Sequence, residues 1–247
     1  MQDTNLLKFS PGKANAKLKQ LGGVLYTFSL SSGHACPFAQ DCLSKAVEAN
    51  GTVHIEDGPK TQFRCFSASQ EVAFPNLRKQ RQYNFNLLRE AKTTAKMTDL
   101  IKKSLPKKAT VVRIHVGGDM FNQNYFNAWR DVAKDNPTIT FYAYTKSLPY
   151  WVNQLGKIPT NFKLNASKGG RHDNLIEKHN LKYAEVVYTE QEAVDKGLDI
   201  DHDDSHAFLK DESFALIIHG TQPKGSKASE AVKNLKGVGS YGKTNNN

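Results

Sequence analysis

The sequence predicts an α/β fold built as a partial barrel of six β/α units, a (β/α)6 arrangement, on three observations. Six short apolar runs of strand character recur along the chain, segments of helical periodicity separate them, and polar and sulfur-bearing residues follow the runs. The runs are Val24 to Leu30, Val111 to Val116, Ile139 to Thr145, Phe162 to Ala166, Ala184 to Thr189 and Phe214 to His219. Strand and helix in alternation call for parallel strands joined by right-handed crossovers. Six units fall short of a closed eight-stranded barrel. An open doubly wound sheet stays as the alternative, because periodicity does not report closure.

The intervening helices follow from spacing and punctuation. The longest stretch runs from about Ser69 to Ser104, with Pro75 breaking its first turn and Pro106 closing it. Asn122 to Lys134 carries Tyr125, Phe126, Trp129, Val132 and Ala133 on one face, which suits a helix buried along one side. Leu148 to Leu155, Asp173 to His179, Glu190 to Lys196 and Lys227 to Leu235 are shorter helices. One α/β domain over residues 1–247 is expected, with an extended N-terminal arm and a flexible tail in GVGSYGKTNNN.

With 38% apolar and 23% charged residues, the chain has material for a core and none of the bias of a disordered protein. The formal net charge of +10 favours an anionic substrate or a polyanionic partner, or else serves solubility alone. The opening MQDTNLLKFSPGK lacks the apolar stretch of a secretory signal, and no run of about 18 apolar residues occurs. The expected location is the cytoplasm, with no membrane partner. Three cysteines, an odd number in a reducing compartment, point away from disulfides and toward metal or thiol chemistry.

Cys36 and Cys42 stand in the loop SSGHACPFAQDC after the first strand, and Cys65 follows in FRCFSAS. Thiolates are the preferred ligands of iron–sulfur clusters and of zinc. Three fall one short of a closed zinc site, but suffice for a cubane cluster with one open iron. His34 is a candidate fourth ligand, for zinc or for the cluster, or a loop histidine bonded to backbone. The plain alternative for the cysteines is three small buried hydrophobes. After the second strand, Gly117 and Gly118 allow a ligand to approach backbone amides, and Asp119 can accept from an ammonium or a hydroxyl. The same residues also suit a tight turn into a helix with Asp119 or Asn122 as its cap.

Four segments together, FSLSSGHACPFAQDC, FRCFSAS, RIHVGGDMFNQNYFNAW and FYAYTKSLPYW, resemble the phage family called gene product 88 over roughly the first 150 residues. The resemblance implies a phage protein acting in the host-cell cytoplasm; its partner stays open between nucleic acid and a host protein, and a nucleic-acid-binding phage protein with a structural metal site is the alternative to a cluster protein. A looser likeness is to radical S-adenosylmethionine enzymes, with their TIM-barrel-like partial barrel. That likeness implies a 4Fe-4S cluster held by Cys36, Cys42 and Cys65, with Gly117, Gly118, Asp119 and His34 in cofactor contact and His34, His115 and Asp119 tuning it. S-adenosylmethionine is the cofactor it suggests. The pattern departs from that superfamily, since C-x5-C and a distant third cysteine replace CxxxCxxC, and Asp119 stands where glutamate is usual.

Three further features carry expectations. Arg78, Lys79, Arg81 and Arg89, interleaved with Tyr83 and Phe85, could form a basic and aromatic stripe for nucleic acid, with Lys102, Lys103, Lys107 and Lys108 at the helix end. Asp199 to His206 (DIDHDDSH) reads as a cation site or a solvated acidic loop. Lys224, Gly225 and Ser226 precede a helix that could receive an anion. No Walker loop, complete Rossmann fingerprint or GxSxG elbow occurs.

Overall fold

A computed structural model describes residues 5–12 and 23–235; the expected C-terminal tail and part of the N-terminal arm lie outside them. The described chain runs through β1 (Ser10–Pro11), β2 (Leu25–Phe28), β3 (Ser44–Ala49), β4 (Thr52–Asp57), α1 (Phe66–Ala73), α2 (Pro75–Ala91), α3 (Thr94–Ser104) and β5 (Val111–Ile114). It continues through α4 (Gln123–Asp135), β6 (Thr140–Thr145), α5 (Leu148–Val152), β7 (Phe162–Ser167), α6 (Asn174–Lys178) and β8 (Tyr183–Val187). The last elements are α7 (Glu190–Asp195), β9 (Asp199–Ile200), α8 (Ser205–Leu209), β10 (Phe214–Ile217) and α9 (Lys227–Asn234).

All six expected strands form, as β2, β5, β6, β7, β8 and β10, and each pairs in parallel with the next. The full sheet has eight strands in the order β1-β2-β5-β6-β7-β8-β10-β9, with β1 antiparallel to β2 at one edge. Its edge strands β1 and β9 do not meet, so the sheet is open and mixed rather than a closed barrel.

The expected series of six identical units is broken at its far end. β9 lies outside β10, so the step from β9 to β10 runs backward across the sheet. A right-handed crossover made backward places its helix on the opposite face. Accordingly α8 packs Ala207 and Phe208 with Val111, Tyr142 and Phe214, whereas Val112, Ile114, Phe141 and Ala143 face the core shared with α3 and α4. Alternate residues of β5 and β6 thus divide between two cores, as the period of a strand requires.

The long helical stretch is three helices. Phe74, in extended backbone, separates α1 from α2 with Pro75 at the first helical position. Lys92 takes a positive φ of 56°, and Thr93 then caps α3 by accepting from the Lys96 amide. On α4 the residues picked out by periodicity are buried, with Trp129 against Phe28 at 5.5 Å and Phe9 at 6.4 Å between ring centroids.

The DIDHDDSH segment divides between solvent and core, with Asp199 and His202 exposed. Asp201 and Asp204 are buried, and Asp204 pairs with Arg113 while accepting from the Tyr142 hydroxyl at 3.0 Å and the Tyr144 hydroxyl at 3.3 Å. Asp204 therefore sets a charge in the core beside α8 that Arg113 compensates.

The basic stripe is interrupted, although Lys79, Arg89, Lys107 and Lys108 are exposed. Arg81 and Phe85 are buried, Arg78 donates to the Glu71 carbonyl, Lys102 pairs with Asp135, and Lys103 with Asp99. Ser226 caps α9 by accepting from the Ser229 amide. No helix among the described residues is long and apolar enough to cross a membrane.

Candidate metal centre

The loop after β2 spans the carboxyl ends of the strands instead of turning straight into a helix. Its far side is stitched to the loop after β7: Gln40 and Asp41 donate to the Gly169 carbonyl, Arg171 donates to Phe38, and Ala39 bridges Gly170. A two-stranded hairpin, β3 with β4, then carries the chain out and back to Cys65. The hairpin has no counterpart in the six-strand expectation, although Asn50-Gly51, both at positive φ between alternating segments, is the sequence signal of a two-residue hairpin turn.

Cys65 directly precedes α1, and its amide donates to the Ser44 hydroxyl at 3.2 Å, two residues beyond Cys42. The neighbouring Arg64 amide donates to the Gln222 side chain at 2.7 Å, and Phe66 packs on His219 at 4.9 Å. Cys65 is thereby tied to the loop after β10, while Cys36 and Cys42 are tied to the loop after β7.

All three cysteines are free of disulfides and half-buried. Burial raises Cys36 well above the usual thiol range, and Asp119, Cys65 and Cys42 push it further the same way. Cys42 is also raised, first by burial, with Lys146 opposing and Asp119 adding to the rise. Cys65 is pushed up to about 11 by burial and then by Cys42. Cys42 and Cys65 act on Cys36, and Cys42 on Cys65, which puts the three thiols in one electrostatic neighbourhood with Asp119 and Lys146.

No set of three His, Cys, Asp or Glu side chains among the described residues surrounds a single ion position. One ion needs every donor within a bond length of about 2.3 Å from sulfur. In a cubane each cysteine binds a different corner iron, so its ligands stand farther apart. Three thiols also suit a cubane by number, because the chain holds no fourth.

Asp119 is a staple between strand ends. Its Oδ1 accepts from the Met120 amide at 2.7 Å and the Thr145 hydroxyl at 2.6 Å, and its Oδ2 accepts from the Lys146 amide at 2.8 Å. Of about four lone-pair positions on a carboxylate, one remains, on Oδ2. Burial raises the Asp119 carboxyl despite those three donors and the nearby Lys146 charge. The Lys146 ammonium spends its own donors on the Ser167 carbonyl at 3.0 Å, the Ser167 hydroxyl at 2.9 Å and the Lys168 carbonyl.

The glycine pair has a packing reason of its own. A Cβ on Gly117 would lie 2.1 Å from the Ser67 hydroxyl, and one on Gly118, where φ is +83°, would lie 2.7 Å from Leu30. His34 is exposed, with Nε2 at 3.2 Å from the Ala46 carbonyl. His115 is buried against the Tyr125 hydroxyl at 3.0 Å, and burial lowers its pKa to about 3, which keeps the ring neutral.

Sequence reasoning missed what braces this site. Glu71 of α1 accepts from the Ser32 amide at 2.9 Å and hydroxyl at 2.8 Å, and Arg81 of α2 donates to the same oxygen at 3.0 Å. Separations of 39 and 10 residues carry no periodic signal.

A family model described as gene product 88 matches residues 5–236. The chain is similar to the Gene 88 protein of Mycobacterium phage L5, at 38% identity over 72 residues, 26% of this chain and 30% of that protein. The alignment therefore spans under a third of that relative's length. No solved structure matches the chain.

Proposed function

The chain belongs to the gene product 88 family of phage proteins, and from that premise we propose that it is an iron–sulfur protein whose Cys36, Cys42 and Cys65 hold a 4Fe-4S cluster with one iron open. The observation that carries this reading is the gathering of three free, half-buried cysteines from two segments of the chain, Cys65 being tied through its amide to Ser44, two residues beyond Cys42, and Cys36 being raised by both other sulfurs. The chain-order winding from β2 to β8 also supports a partial barrel of the radical S-adenosylmethionine type, with the site over the strand ends.

Such a cluster supplies one-electron redox or Lewis-acid chemistry at its open iron. The residues around it have definable tasks. Lys146 brings a positive charge toward Cys42 that offsets part of the thiolate charge, and its three acceptors hold the ammonium in place. Asp119 holds the ends of β5 and β6 in register, and its remaining acceptor position on Oδ2 is the one it can offer to the amino group of S-adenosylmethionine. Ser44 and Glu71 fix the backbone beside Cys65 and before Cys36. The competing reading is a nucleic-acid-binding phage protein with a structural metal; the burial of Arg81 and Phe85 narrows its stripe, while Lys79 and Arg89 stay exposed.

Anaerobic purification tests the proposal. Brown protein with about four irons and matching sulfide per chain is expected, with iron falling in Cys36→Ser, Cys42→Ser and Cys65→Ser variants that keep their fold. Colourless protein, or zinc without sulfide, rejects it.

A further inference from the structure

Beside the cysteine loop lies a cavity of about 430 Å³ that shares only His34 with the residues expected around a cluster. Its walls are His34 and Pro37 from that loop, Phe85 and Arg89 from α2, and Phe121 and Asn122 at the entry to α4. The volume falls within the roughly 300–1,000 Å³ of small-molecule sites.

The lining has a definite chemical bias. Arg89 is exposed and has no carboxylate partner among the described residues; its guanidinium lies 5.5 Å from the Phe85 ring centre. Asn122 spends its carbonyl oxygen on the Tyr125 amide at 2.8 Å, which leaves its NH₂ group as a donor without a protein acceptor among the described residues. No Asp or Glu lines the cavity. An unpaired cation beside one free amide donor, with no carboxylate in the lining, selects an anion, and guanidinium matches phosphate or carboxylate with two parallel hydrogen bonds.

The apolar half of the lining is aromatic. Phe85 and Phe121 meet edge to face at 5.2 Å and 80°, and Phe121 stacks on Tyr125 at 4.6 Å and 23°. The stack holds the Phe121 ring in a fixed plane, and that ring remains only half-buried. A rigid aromatic surface next to a fork of donors suits a flat ring joined to a charged group.

We propose that this cavity binds a small anion bearing a planar ring, with its phosphate or carboxylate on Arg89 and Asn122 and its ring against Phe85 and Phe121. The site is made by protein atoms alone, so the inference stands apart from the cluster.

Calorimetry or ligand-observed NMR on the full chain tests it, with four probes: a nucleoside monophosphate such as AMP, an aryl carboxylate such as 4-hydroxybenzoate, adenosine and inorganic phosphate. The expected result is that AMP or 4-hydroxybenzoate binds, whichever does naming the phosphate or carboxylate source. Adenosine and phosphate should each bind at least about tenfold more weakly than that ligand. Arg89→Gln, at an exposed position, should keep the circular dichroism spectrum and weaken the ring-bearing anion by about tenfold or more. Phe121→Leu should weaken it while leaving phosphate unchanged. Failure of both ring-bearing anions to bind, equal binding by phosphate alone, or an unaltered affinity in Arg89→Gln overturns the proposal.

Discussion

Arg81 and Glu71 form an ion pair at 3.0 Å with both side chains almost wholly buried, 3% and 1% exposed. The pair joins α2 to α1 and, through Ser32, to the loop that carries Cys36. Two segments that bear thiols are therefore braced by one carboxylate oxygen. Desolvating two charges is costly, so the pair is better understood as fixing the geometry of these segments than as a source of net stability.

Removing one partner leaves the other buried and uncompensated. Glu71→Ala should cost roughly 3–5 kcal/mol in urea unfolding. A loss under about 1 kcal/mol would show that the pair relaxes into solvent and braces nothing.

His115 predicts an acid limb in stability. Above pH 6.5 the ring is neutral in both the folded and the unfolded chain and contributes no pH dependence. As pH falls below 6.5 the unfolded chain takes up a proton that the buried ring refuses until about pH 3, so stability declines through that window. The ceiling on this loss is about 5 kcal/mol, at 1.36 kcal/mol per pKa unit. Urea midpoints of wild type should fall faster between pH 6.5 and 4 than those of His115→Asn, a residue that tolerates the local φ of +65°. Parallel curves would assign the acid sensitivity to other groups.

The raised thiols predict slow alkylation. In reduced, metal-free protein, carbamidomethylation of Cys65 followed by mass spectrometry should keep climbing past pH 9, because only thiolate reacts and burial with Cys42 holds the thiol near 11. A plateau at the ordinary value of 9.0 would contradict the coupling among the three sulfurs. By the same linkage, metal loading should release protons and weaken as pH falls.

Much of this architecture was legible in one dimension. The strands β2, β5, β6, β7, β8 and β10 announce themselves as apolar runs, and α4 by Tyr125, Phe126, Trp129, Val132 and Ala133 at helical spacing, because burial of one face imposes its own period. The placing of the cysteine loop and of Asp119 after strands was legible for the same reason: parallel strands collect their following loops at one end. Periodicity, however, reports only which face of an element is covered, never by what. Tertiary structure alone decided that β9 pairs outside β10 and sends α8 to the opposite face, and that Asp204 neutralises Arg113 in the core. It alone decided that Arg81 turns inward to Glu71 while Arg89 stays outside over Phe85. Charges eight residues apart on one helix look alike in sequence, and only the packing of neighbouring elements separates the one that must be paired from the one left available to a ligand.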